Sequence, residues 1–201
     1  PHTGSPKALV ILAEYQDKKF SIKNPKRSFN QYLNKEEGKQ EEFGYRESKN
    51  YGSVRQYFSE MSNGMFTPQF DIVGPVTLPE DMAYYGGTSS TGNDERTAQM
   101  VVDACELVKD SVDFSLYDSN NDGYVDLVYV IYAGYGQSMG AANNTVWPKA
   151  TYVRSQAEYN GKKIYRAGVN NELIGNEKTF NGEPAITGLG LFIHEFSHCL
   201  G

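Results

Sequence analysis

The stretch "GLGLFIHEFSHCLG" (188–201) decides the reading of this chain. On a helix of 3.6 residues per turn, His194 and His198 lie about 40° apart, so both imidazoles can reach one ion, with Glu195 at the margin of the same face. Leu189, Phe192, Ile193, Phe196 and Leu200 fall on the opposite side at helical spacing, and Cys199 goes with them. The segment therefore predicts a helix with an apolar back and a polar, metal-competent front. H-E-x-x-H is a zinc pattern because zinc takes neutral nitrogens at fixed geometry and works with a nearby carboxylate that can accept a proton from water. His194 and His198 are the candidate zinc ligands and Glu195 the candidate general base. Only three histidines occur in the chain, and two of them hold this spacing.

Catalytic zinc sites ordinarily take three protein ligands. His2 and Cys105 are the other strong zinc ligands present, but Cys105 falls on an apolar helical stripe and His2 lies in a terminal stretch. A third ligand beyond Gly201 is the preferred expectation.

Upstream, "KALVILAEYQD" (7–17) opens with an unbroken apolar run, as does "YVDLVYVIYAG" (124–134). Both read as strands buried on two faces of a layered α/β sheet. "SVRQYFSEMSNG" (53–64) predicts a helix with Ser53 and Gln56 in capping-box spacing, an apolar face of Val54, Tyr57, Phe58 and Met61, and an end at Asn63 and Gly64. Residues 94–110 predict a second helix with Ala98, Val101, Val102, Cys105 and Val108 on its core stripe. "FTPQFDIVGPVTLP" (66–79) reads as short or edge strands, "YYGGTSSTGND" (84–94) as a loop, and "AEYNGKKIY" (157–165) as a hairpin turning on Asn160-Gly161. The polar residues 18–50, with charged "NKEEGKQEEFG" at 34–44, read as a solvated excursion. No repeat or composition shift marks a second domain, so residues 1–201 are read as one α/β (α+β) domain.

"DSNNDGYVD" (118–126) puts Asp118, Asn120, Asp122, Tyr124 and Asp126 at positions one, three, five, seven and nine of an EF-hand-like loop, with Gly123 at the sixth. Tyr129 stands where the bidentate Glu belongs, and a strand follows, which excludes an EF-hand proper. Two readings stay open: a structural calcium site, or a metal-free Asx-rich turn.

The 19 basic and 25 acidic residues, net −6, offer no patch for a phosphate backbone, which argues against nucleic acid. No apolar run approaches the roughly 20 residues of a membrane span. The chain opens on Pro1 with no basic-then-apolar leader, as expected of a mature or trimmed start. Two cysteines permit one bridge by number alone.

Taken together, "KALVILAEYQD", "SVRQYFSEMSNGMFTPQFDIVGPVTLP", "YYGG", "DSNNDGYVDLVYVIYAGYGQ", "VWP" (146–148) and "HEFSHCLG" resemble the immune-inhibitor-A-like family of secreted bacterial metallopeptidases almost end to end. The H-E-x-x-H-x-x-G form, with Gly201 as its glycine, resembles the metzincin version of the motif. The resemblance implies a metzincin-like zincin N-terminal subdomain: a mixed twisted sheet packed with helices, and a C-terminal active-site helix. It implies a zinc endopeptidase acting on protein or peptide substrates, secreted or at the bacterial cell surface or periplasm, with an aspartate or histidine just beyond Gly201 completing the site. It also puts "AGYGQ" (133–137), with Gly134 and Gly136, near a substrate cleft. The competing readings are a non-catalytic surface or adhesion module, motivated by 15 tyrosines and the acidic loop, and an inactive fragment of the peptidase.

Overall fold

The computed structural model describes residues 2–36, 50–87, 96–142 and 144–200. In chain order it contains β1 (Lys7–Glu14), α1 (Pro25–Asn34), α2 (Val54–Met61), β2 (Gln69–Thr77), α3 (Met82–Gly86), α4 (Thr97–Val108), β3 (Val128–Tyr132), β4 (Lys149–Tyr152), β5 (Glu158–Tyr159), β6 (Lys162–Lys163), β7 (Arg166–Asn171) and α5 (Leu189–Leu200). The main sheet runs β2-β1-β3-β7-β4, and β5 and β6 form a separate hairpin. β2, β1, β3 and β7 are parallel, whereas β4 closes one edge antiparallel to β7. The fold is mixed α/β, as expected.

The two apolar runs become the paired central strands, in register Leu9 with Val128 and Ile11 with Val130. Successive side chains on a strand point to opposite faces, so each run feeds two cores. Leu9, Ile11, Ala13, Val128, Val130 and Tyr132 pack with Met100, Val101, Ala104 and Cys105 of α4. Val10, Leu12, Tyr129 and Ile131 pack on the other face with Phe29 and Tyr32 of α1, Val54 of α2, and Phe192 and Phe196 of α5. Cys105 and Cys199 thus belong to cores on opposite sides of the sheet, and both are free thiols. Burial pushes each thiol up to about 12.

Several local expectations change. The polar stretch 18–50 holds α1, whose Phe29, Tyr32 and Leu33 recur at i, i+3 and i+4 and are fully buried, with Pro25 in the first turn. Residues 37–49 of the charged excursion lie outside the described residues. In 84–94, Tyr84 to Gly86 close α3, capped by the Asp81 carboxylate accepting from the Tyr84 N–H; residues 88–94 lie outside the described residues. "FTPQFDIVGPVTLP" forms β2, an edge strand, as its Pro and Gly punctuation implies. Ser53 caps α2 by accepting from the Gln56 N–H, but Met61 and Tyr57 point to solvent and only Val54 and Phe58 face the core. α4 does bury Cys105, beside Met100 and Ala104. The Asn160-Gly161 turn joins β5 and β6 with both residues at positive φ, the geometry of a two-residue hairpin.

Candidate active site

α5 is held at both ends. At its start, Asn50 donates to the Thr187 carbonyl and accepts from the Leu189 N–H, and the Tyr32 hydroxyl donates to the Gly188 carbonyl. At its end, Arg166 Nη1 donates to the Cys199 carbonyl at 2.7 Å, and His2 Nε2 lies 2.7 Å from the Leu200 carbonyl oxygen. Between these ends the apolar back seats on the sheet. Phe192 lies against Tyr129 with ring centroids 4.1 Å apart, and Phe196 against Phe58 and Phe70 at 5.3 Å each. Each such phenylalanine contributes about 1.5–3 kcal/mol by burial. Gly168 of β7 lets the helix come this close. A Cβ there would stand 2.5 Å from Tyr129 Cε2 and 3.2 Å from Cys199 Sγ.

With the back anchored, the front presents the predicted residues. His194 and His198 are exposed, and their Nε2 atoms lie 3.1 Å apart with ring planes at 82°. Two nitrogens each about 2.0–2.1 Å from a tetrahedral zinc stand about 3.3 Å from one another, so this pair has the spacing of two zinc ligands. Glu195 is nearly buried, its Oε1 3.9 Å from His194 Nε2. Among the described residues, no group of three or more His, Cys, Asp or Glu gathers to hold a metal. His2 stays at the helix end, tilted against Phe66, and Cys199 turns into the core. Gly201 lies outside the described residues.

The remaining sequence candidates sit elsewhere. Asp118 accepts from the Asp122 N–H, the Gly123 N–H and Lys162 Nζ, the last at 2.8 Å. Asp126 accepts from the Ser119 N–H, Asp122 from the Tyr124 N–H, and Asn120 donates to Asp122. The loop thus closes on itself through Asx hydrogen bonds, with the Lys162 ammonium against Asp118. That ammonium, with the two backbone donors, holds the Asp118 carboxyl below the usual carboxylate range. Gly134 donates its N–H to Glu172 Oε1 and accepts from the Leu173 N–H. A Cβ on Gly136 would run into the Asn171 carboxamide and crowd the Tyr132 hydroxyl. Both glycines thus serve the junction of β3 and β7.

Sequence reading missed three contributors: Arg166 and His2 at the end of α5, and β4. The last is only four residues long, its apolar Ala150 and Tyr152 are the exposed ones, and it is an edge strand of the sheet.

The family description "Immune inhibitor A peptidase M6, catalytic domain" matches residues 2–201, nearly the whole chain. The chain belongs to this family. Among its curated relatives, Immune inhibitor A of Bacillus thuringiensis subsp. alesti is 27% identical over 97% of this chain and 32% of the relative. The pre-pro-metalloprotease PrtV of Vibrio cholerae serotype O1 is 25% identical over 76% of this chain and 18% of the relative. The chain therefore spans about a third or less of the length of these relatives. In this family member, α5 carries the His194–His198 pair on its exposed front.

Proposed function

We propose that this chain is the catalytic domain of a secreted, zinc-dependent endopeptidase. The observation that carries the reading is the convergence of His194 and His198 Nε2 atoms at 3.1 Å on the exposed front of a helix whose back is locked to the sheet. His194 and His198 would hold the ion, with a third ligand from beyond Gly201. Bound there, zinc would polarise the scissile carbonyl and make water a better nucleophile. Glu195 follows His194 in sequence, and its near-burial restricts its carboxylate to a narrow range of positions. It accepts the proton of the attacking water and delivers it to the leaving amine, with no covalent intermediate.

The substrate is an extended peptide. β4 lies beside α5 and has no strand on its outer side among the described residues, so a peptide can add to it by backbone pairing. We take β4 as the pairing edge, since the Gly134 N–H is already taken up by Glu172.

The test is the full-length protein loaded with zinc and given an unfolded protein substrate. Glu195→Ala should lower turnover by about 10²–10⁴-fold while zinc stays bound. Zinc-loaded wild type that cleaves nothing sinks the reading, and absence of stoichiometric zinc favours the non-catalytic alternative.

A further inference from the structure

A side-chain donor that meets a backbone carbonyl of a helix from outside helps to fix the turn that carries it. In α5 the turn at residues 197–200 carries His198, whereas His194 sits one turn earlier. The spacing of the pair therefore depends on how that turn is held. Two basic side chains from remote parts of the chain meet its carbonyls: Arg166, the first residue of β7, at Cys199, and His2 at Leu200. The His2 segment is itself zipped to residues 65–67, with the Gly4 N–H donating to the Met65 carbonyl and the Thr67 N–H to that of Gly4.

We propose that Arg166 is a positioning residue for the metal pair: its guanidinium, assisted by His2, pins the last turn of α5 to the sheet and so sets where His198 stands relative to His194. The inference rests on α5 being the metal helix. Arg166 touches neither imidazole and acts through the Cys199 carbonyl. Arg166→Met keeps much of the side chain's apolar stem and removes the donors. Arg166→Lys keeps one donor, and His2→Gln keeps an N–H close to the position of Nε2.

The experiment uses full-length protein in three measurements. In the metal-free form, amide exchange of Cys199 and Leu200 should quicken about tenfold in Arg166→Met, while β1 amides exchange as in wild type. Zinc affinity, read by chelator competition, should fall about tenfold, the usual scale for a group supporting a ligand. The visible spectrum of the cobalt-substituted protein should shift or broaden. Arg166→Lys should recover most of each change, and His2→Gln should resemble wild type where His2→Ala does not. If Arg166→Met fails to fold, the His2 pair carries the same comparison. Wild type that binds zinc, with affinity, spectrum and exchange unchanged in Arg166→Met, overturns the positioning role and leaves the metal reading standing. Wild type that binds no zinc overturns both.

Discussion

Glu172 follows β7, fully buried, and its carboxylate gathers the N–H groups of Ser21, Ile22 and Gly134 at 2.8–3.1 Å. Burial pushes its pKa from 4.5 up to about 7, against the lowering effect of those backbone donors and of Lys18. A carboxyl raised in this way binds its proton more tightly in the folded chain than in the unfolded one. Its stabilising contribution is complete below pH 4.5 and is lost as the pH rises through 7. The gap between 4.5 and about 7, at ~1.36 kcal/mol per pKa unit, amounts to about 3 kcal/mol. The perturbation is pH itself, with Glu172→Gln as the control that cannot titrate. Urea unfolding of both proteins at intervals from pH 4 to 8 gives their difference in unfolding free energy, in which every other titrating group cancels. Wild type should lose about 3 kcal/mol relative to Glu172→Gln across this range. A difference that stays flat, or one that grows in wild type's favour with rising pH, refutes the reasoning.

Other outcomes follow from the packing. Gly168→Val should destabilise by about 1–3 kcal/mol, because its side chain meets Tyr129 and Cys199; chemical denaturation measures this, and a neutral result would mean that α5 sits farther from β7. Phe196→Ala should cost about 3–5 kcal/mol by the same assay, since the ring is shared by Phe58, Phe70 and Phe192. An alkylating reagent should add to neither cysteine in the native chain and to both in denaturant without reductant, and a single protected disulfide would contradict the opposite-face placement. Lys162→Met should lower the melting temperature by stranding Asp118, whereas millimolar calcium should leave wild type unchanged; a calcium-induced rise in wild type would return the acidic loop to the metal-binding reading.

What was legible in the sequence was whatever a local pattern encodes. β1 and β3 follow from their apolar runs, the β5-β6 turn from Asn160-Gly161, and both faces of α5 from one helical spacing. α1 was hidden because six of its ten residues are Lys, Arg, Ser, Asn or Gln, and the net polarity of 18–50 outweighed a buried triplet at helical spacing. The exposed Met61 shows the reverse error: an apolar residue at helical spacing on a short helix that buries only its first turn fully, at Val54. The clasps were not readable at all. Asp118 with Lys162, Glu172 with Ser21, and Arg166 with Cys199 join residues 44, 151 and 33 apart, and no periodicity connects such pairs.

The contact between His2 and Leu200 spans 198 residues of chain. Synthesis proceeds from the amino end at about 5–20 residues per second, so the two partners emerge roughly 10–40 s apart. β1, made early, must also wait for β3, more than a hundred residues later, before its second edge is filled. The helix bearing the two histidines is thus the last described element to be made, after every strand of the sheet on which it packs. Among the described residues, the first side chain made thus finds its partner on the last turn made.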